Sequence, residues 1–451
     1  MDFLIMEVFL EKIIIYSVVA TLIMLTLYLY VRHLKKQSKL VGEKIQKAKE
    51  HGLYEPVSLH PHIDTNTCIQ SGACIEACPE KEIIGILNGR AALINASRCV
   101  GHGACFHACP VEAISLVIGT EKRGVDLPHV NQNFETNVHG IFIAGELGGM
   151  GLIKNSVEQG RQAVDNIVRS ISKTKDHDYD LVIVGAGPAG ISATLQAKKH
   201  GLKSITLEQD TLGGTVYSFP RTKIVMTSPM DLPLHGKVKL TETRKSELLD
   251  LWNKVLSENN LTIKEQAKVE HIGKRDDKFV VTLKDGQEFI TKSVLLAIGR
   301  RGTPRKLNVP GEQLEKVAYR LLEPEHIEGE NIIVAGGGDS AIEAALMLMD
   351  QNTVILSYRG DAFKRIKPGN SERINRAAEE HKLEIVFESN ITLIEPDAVT
   401  LSLADGSTRT VANDKVYIFA GGELPTQFLQ KAGVEITKRF GHTMLKHAKR
   451  R

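Results

Sequence analysis

All six cysteines of this chain fall in two short stretches, CIQSGACIEACP at 68–79 and CVGHGACFHACP at 99–110. Each stretch supplies three thiols and a closing proline: Cys68, Cys74, Cys78 and Pro79 in the first, Cys99, Cys105, Cys109 and Pro110 in the second. This is the pattern of an iron–sulfur ligand loop, which runs Cys-x2-Cys-x2-Cys-x3-Cys-Pro because each thiolate must reach one iron of a cube. Both copies lack the second cysteine, and Ser71 and His102 stand in its place. In two-cluster proteins the fourth cysteine of each loop binds the other cluster. The expected ligand sets are therefore Cys68, Cys74 and Cys109 for one cluster, and Cys99, Cys105 and Cys78 for the second. Two cluster types fit three thiolates. One is a three-iron cluster (3Fe-4S) with no iron at the unligated corner. The other is a four-iron cluster (4Fe-4S) with a non-cysteine ligand, a role better suited to the His102 imidazole than to the Ser71 hydroxyl. A solvated loop histidine is the plainer alternative for His102. Loss of an anionic thiolate should make a cluster easier to reduce. A disulfide scaffold is disfavoured by the tight spacing and the closing prolines.

Two further stretches carry loops suited to phosphate. DYDLVIVGAGPAGISATLQAKKHGLKSITLEQD (178–210) reads as strand, turn, helix and second strand. Gly185 permits the tight turn, Gly187 lets the backbone approach a pyrophosphate, and Gly190 lets helix and strand pack closely. The helix N-terminus meets the phosphate charge, and Glu208 closes the second strand where a carboxylate can accept hydrogen bonds from a ribose. ENIIVAGGGDSAIEAALMLMDQNTVILSYRG (330–360) repeats the unit, with Gly336, Gly338 and Ala341 in the three places. No acid ends its second strand; Ser357, Tyr358 and Arg359 do. An arginine there can meet a 2′-phosphate, which favours NADP over NAD.

Two such units in tandem, joined through AIGRRGTPRKLNVPG (297–311), resemble the two-dinucleotide flavoproteins of the thioredoxin reductase-like group over about residues 118–172 and 178–435. The resemblance implies FAD on the first unit, held by Gly185, Gly187, Gly190, Glu208 and Gly214, with Gly299 at the crossover. It implies the nicotinamide nucleotide on the second, at Gly336, Gly338, Ala341 and Arg359, and a return strand in DKVYIFAGGELPT. Two departures stand out. The family's redox Cys-x-x-Cys has no counterpart, since no cysteine follows Cys109, and this excludes thioredoxin reduction by that chemistry. The turn that closes the FAD domain, GIFAAGD-like in the family, is found as GIFIAGE at 140–146, ahead of the first glycine motif. The expectation is a circular permutation in which 118–172 pack onto the FAD domain and bring Gly145 and Glu146 to the ribityl and phosphate side. Glu146 replaces the family's Asp. Completion of a partner chain's FAD domain, giving a swapped homodimer, is the alternative.

The elements that must position these sites follow from the rest of the chain. At 451 residues it is too long for one core. Its balance of 42% hydrophobic and 25% charged residues, with a formal charge of +3, lacks the basic face that nucleic acid would call for. From Ile13 to Val31 no residue is charged, enough for one helical span of a ~30 Å hydrocarbon core. Arg32, Lys35, Lys36 and Lys39 follow, which places the N-terminus outside and the body in the cytoplasm. The expected fold class is α/β: two Rossmann-like domains for FAD and NAD(P), a small α+β dicluster ferredoxin domain, and one transmembrane helix. The expected boundaries are an anchor at 1–34, a charged helical stalk at 35–56, the dicluster domain at 57–117, the closing segment at 118–172, the FAD domain at 173–305, the NAD(P) domain at 306–420, and a return segment with basic tail at 421–451. The expected function is electron transfer from NAD(P)H through FAD to two iron–sulfur clusters and on to a quinone, a ferredoxin-like carrier or a membrane complex. A membrane-tethered redox sensor or scaffold is the alternative. No catalytic acid or base is identifiable, and electron transfer requires none.

Overall fold

The computed structural model describes residues 2–50, 54–56, 59–80, 82–99, 101, 103–149, 151–170, 177–219, 224–227, 229–240, 242–300, 303–363 and 366–447. Two compact units emerge: residues 1–56, 60–117 and 445–451 form one, and 57–59 with 118–444 the other.

In the first unit, helix α1 (Asp2–Glu50) runs without a break through the apolar stretch and the charged one after it. Side chains from Ile13 to Val31 are exposed, and the helix is long and apolar enough to cross a membrane. A helix satisfies its own backbone polar groups in hydrocarbon, and the Thr21 and Thr26 hydroxyls do likewise, donating to the carbonyls of Ser17 (2.7 Å) and Leu22 (2.8 Å). Beyond residue 37 the helix becomes one-sided, with Ile45 and Ala48 buried. The cluster domain follows as a duplicated pattern. Strand β1 (His60–Ile63), helix α2 (Ala73–Glu76), the hairpin β2 (Ile84–Leu87) and β3 (Arg90–Leu93), helix α3 (Ala104–Ala108) and strand β4 (Ile114–Ile118) succeed one another, with β1 antiparallel to β4. Each short helix is entered through a left-handed glycine, Gly72 (φ 74°) or Gly103 (φ 72°). The hairpin turns at Asn88 and Gly89, both at positive φ (49° and 78°), the pair that a two-residue type I′ turn selects.

The second unit opens with β5 (Val125–Pro128), β6 (Ile141–Ile143) and α4 (Ile153–Ser170). The first glycine-loop unit comes next: β7 (Tyr179–Val184), α5 (Pro188–Lys199) and β8 (Ser204–Leu207). Two small hairpins, β9 (Ile224–Met226) with β12 (Glu242–Arg244) and β10 (Met230–Leu232) with β11 (Gly236–Val238), lead to α6 (Lys245–Glu258). Strands β13 (Val269–Arg275), β14 (Lys278–Leu283) and β15 (Glu288–Leu296) complete a six-stranded sheet of order β13-β14-β15-β7-β8, with β6 parallel to the second half of β15 (Val294↔Ile141 to Leu296↔Ile143). Its parallel strands are buried on both faces, which explains their unbroken apolar runs such as VLL at 294–296. Helices α4 and α5 cross so closely that a Cβ on Gly160 would overlap the carbonyl of Ala189.

A two-stranded link, β16 (Thr303–Pro304) with β25 (Gly422–Glu423), joins this domain to the next. There β17 (Val317–Ala318), β18 (Asn331–Ala335), β19 (Thr353–Tyr358), β20 (Glu384–Phe387) and β24 (Lys415–Ile418) form a parallel sheet of order β17-β24-β18-β19-β20. Helices α7 (Asp339–Leu348) and α8 (Pro368–Glu379) and the meander β21 (Asn390–Ile394), β22 (Ala398–Ser402) and β23 (Thr408–Ala412) accompany it. The chain then returns through α9 (Thr426–Lys431) to β26 (Ile436–Arg439), which pairs antiparallel with β5.

Candidate cluster and nucleotide sites

The six thiols sort into the two crossed groups. Cys68, Cys74 and Cys109 line one cavity together with Ser71, Gly72, Ile86 and Ala91. Two of these sulfurs already accept backbone hydrogen bonds, Cys68 Sγ from the Ala91 N–H (3.4 Å) and Cys109 Sγ from the Ala113 N–H (3.3 Å). Such donors are the usual outer support of a metal-bound thiolate. Cys78, Cys99 and Cys105 form the second group. Burial pushes the Cys99 thiol up to about 11, with further pressure from Cys78, and pushes Cys105 up to about 12, with further pressure from Cys99 and Cys78. Cys74 is also raised, first by burial and then by Cys109 and Cys68. None of the six is in a disulfide. Among the described residues no three His, Cys, Asp or Glu side chains converge tightly enough for a single metal ion. A cluster binds each thiolate to its own iron and so spreads its ligands wider than a single ion does. His102 lies outside the described residues.

The first glycine loop forms a cradle. Gly185 turns at φ 104° with its Cα hydrogen side against the Ala297 carbonyl. A Cβ on Gly190 would overlap the Gly185 carbonyl, whereas Gly187 and Gly299 each face open space. Gly214, at φ 53°, lies against Gly187. The buried Glu208 carboxylate accepts from the N–H groups of Ala186 (2.7 Å) and Asp210 (3.0 Å). Burial pushes this carboxyl above its ordinary range while those two bonds pull it back. The acid is thus fixed at the mouth of the loop, where a ribose would lie. Gly145 sits at φ 84°, ψ −154°, a conformation open only to glycine. Its N–H donates to Gln159 Oε1 (2.8 Å) on α4, and Glu146 begins the short turn after it. Because β6 pairs with β15, this turn stands at the same strand ends as Gly185 and Gly299. Residues Arg300 and Gln159, absent from the expected set, belong to this region. Arg300 is half-buried; burial lowers its pKa, and the carboxylates of Glu146 and Asp126 oppose that shift. Its position directly after Gly299 was the one available signal.

The second loop repeats the cradle. Gly336 (φ 146°) lies against the Phe419 carbonyl and Ala341 is fully buried. Gly338 caps α7 and faces open space, leaving a helix N-terminus for phosphate. Asp339 does not face that space freely: its Oδ1 accepts from the Lys367 N–H (2.8 Å) and from Asn370 Nδ2 (2.7 Å). The Tyr358 ring packs on Gly337 and Gly360 and stacks on Phe363 (5.6 Å between centroids, 21° between planes). Ser357 is engaged with Ser389 (2.8 Å between hydroxyls), while Arg359 is exposed just beyond the end of β19. An ion pair between Asp210 and Arg320 (2.7 Å) ties the rim of the first loop to the second domain.

A family model described as pyridine nucleotide-disulphide oxidoreductase matches residues 182–449, more than half of the chain. The chain belongs to that family. A second model, a 4Fe-4S dicluster domain, matches residues 60–110. Among curated proteins, the bacilliredoxin reductase Bdr of Bacillus subtilis (strain 168) is 26% identical over 265 residues, covering 58% of this chain and 82% of that protein. A ferredoxin–NADP reductase of Ignicoccus hospitalis is 28% identical over 260 residues, covering 57% and 82%. The solved bacillithiol disulfide reductase Bdr of Bacillus cereus is 25% identical, covers 60% of this chain and 88% of that one, and superposes with a TM-score of 0.51. The protein is thus a FAD-dependent pyridine-nucleotide oxidoreductase carrying an iron–sulfur dicluster domain. Its two nucleotide cradles and two thiol groups fit FAD, NADP and iron–sulfur clusters, and like other members it has a mixed α/β two-dinucleotide architecture.

Proposed function

We propose that this protein is a membrane-anchored NAD(P)H oxidoreductase whose cluster domain, rather than a dithiol, takes electrons from the flavin and delivers them to an acceptor at the membrane. When bound, FAD accepts hydride from the nicotinamide and releases electrons singly, which clusters can carry. The observation that carries the reading is the division of all six thiols into two cluster-sized groups in a chain with both nucleotide loops intact and no cysteine after Cys109. Gly185, Gly187 and Glu208 would hold the FAD pyrophosphate and ribose, with Gly145 and Glu146 on the ribityl side. Gly338 and the α7 terminus would hold the second nucleotide, with Arg359 at its 2′-phosphate. The apolar run of α1 would anchor the chain, and Arg32, Lys35, Lys36 and Lys39 would keep the body on the cytoplasmic side. We place a three-iron cluster in the Cys68, Cys74 and Cys109 group, beside Ser71.

Anaerobic mixing tests the order of events. NADPH should bleach the flavin absorbance, and cluster reduction should follow. Cys74→Ala and Cys105→Ala variants should keep the first event and lose reduction of the corresponding cluster. Loss of flavin bleaching in those variants, or native protein without iron, would refute the relay.

A further inference from the structure

The membrane helix does not end in a free stalk; it docks along the cluster domain, and the docking has a direction. Ser38 bonds the hairpin turn, its hydroxyl contacting Asn88 Oδ1 (3.1 Å) and accepting from the Asn88 N–H (2.9 Å). Six positions farther along α1, Lys44 pairs with Glu82 (2.5 Å) at the base of the same hairpin. Between them Val41 packs against Gly85, and Gly42 meets Leu87. The hairpin therefore runs antiparallel to the helix, tip toward the span and base away from it. Ser38 lies only seven positions after Val31, so the tip stands about 10 Å beyond the apolar run along the helix axis. That tip is bound to the Ser71 loop. The Arg90 guanidinium bonds the Cys68 carbonyl, the Ala91 N–H reaches Cys68 Sγ (3.4 Å), and the Gln70 side chain lies against Gly89. The ligands of the second group attach at the other end. Cys78 precedes the base residue Glu82 by four positions, and Cys99 follows Asn95, whose Nδ2 donates to the Glu82 carbonyl (3.2 Å), by four.

On the membrane-anchored reading proposed above, we infer that the Cys68, Cys74 and Cys109 site is the electron exit, that its Ser71 side faces the membrane, and that the acceptor is a lipid-soluble quinone. The second thiol group is then the inner station. Reducing one quinone to quinol takes two electrons, passed singly through this site, and two protons from the aqueous side. One NAD(P)H, oxidised to NAD(P)+ with release of a proton, supplies the electron pair.

The test uses full-length protein in vesicles containing ubiquinone and a dysprosium chelate on lipid headgroups. The paramagnetic signals of the two clusters are distinguished by Ser71→Cys, which changes only the signal of its own site. The headgroup lanthanide should relax the Ser71-site signal severalfold more than the other. A flexible Gly-Ser insertion between Lys35 and Lys36 should abolish that difference, and should lower quinone reduction by about tenfold or more, since loss of fixed placement is costly. NADPH bleaching of the flavin should be unchanged. Equal relaxation of both signals, stronger relaxation of the other site, or quinone reduction indifferent to the insertion would overturn the inference while leaving the anchored relay standing. Protein that bound no clusters or did not enter vesicles would overturn both.

Discussion

At the scale of single residues, the sharpest question is what Ser71 withholds. A cysteine there would restore the complete four-thiolate spacing, and the thiolate it adds is anionic. Ser71→Cys should replace a three-iron signal in the oxidised protein by a four-iron cluster visible on reduction, with a lower potential. Redox-titrated paramagnetic resonance reads both; an unchanged signal would mean that the site is already four-iron. Arg359 makes a separate claim. Arg359→Ala should reduce kcat/KM for NADPH by about 10- to 100-fold, the worth of a hydrogen bond to a charged group, and leave NADH within about twofold. Parallel loss with both nucleotides would deny the arginine a role in discrimination. Much of the site was legible because its chemistry is local: spacing alone announces thiol ligands and glycine cradles. Glu208 was legible for the same reason, since a strand and a helix of ordinary length deliver it to the loop. Arg300 and Gln159 were not, because what marks them is burial and a partner brought in from another segment: Glu146 beside Arg300, and the Gly145 N–H on Gln159.

At the scale of elements, the segment before the first glycine motif does the structural work that the sequence suggested for it. Strand β6 extends the parallel sheet of the FAD unit and α4 covers α5. GIFIAGE carried that message through its likeness to the GIFAAGD-like turn of the two-dinucleotide flavoproteins; the structure adds that Gly145 takes a conformation open only to glycine. What periodicity could not convey was how closely α4 and α5 approach. Gly160→Ala would force the helices apart, and overpacking of this kind costs about 1–3 kcal/mol. The melting temperature of the variant should fall by several degrees, whereas Gly151→Ala, with open space around it, should melt like the parent. Equal melting of the two would mean that the helices are free to separate. The charged half of α1 was the least legible element. Its lysines and glutamates read as a solvated stalk, yet a narrow stripe of Val41, Ile45 and Ala48 between them is covered by the cluster domain. A three-residue stripe is too short to stand out in a pattern otherwise dominated by charge.

At the scale of the whole molecule, two features of the chain pull apart. The family is named for disulphide chemistry and the solved structures this chain resembles include a disulfide reductase, but no cysteine follows Cys109 in the part that carries the nucleotide loops. Its electrons need another outlet, and the dicluster domain lies on the same unit as the one helix among the described residues that is long and apolar enough to cross a membrane. Two kinds of membrane attachment are physically distinct. Binding through the lysine and arginine cluster alone would be screened away by salt, since such contacts weaken over a Debye length of about 10 Å at 0.1 M. A span of nineteen uncharged residues would not be. The full-length protein should therefore stay with the membrane fraction through high-salt and alkaline washes and leave it only in detergent. A chain lacking residues 1–36 keeps Ser38, Val41, Lys44 and Ile45 for docking on the cluster domain, so it should fold, remain in the soluble fraction, and still show flavin bleaching by NADPH. Release of the intact protein by salt, or retention of the shortened one on membranes, would show that α1 is not the anchor.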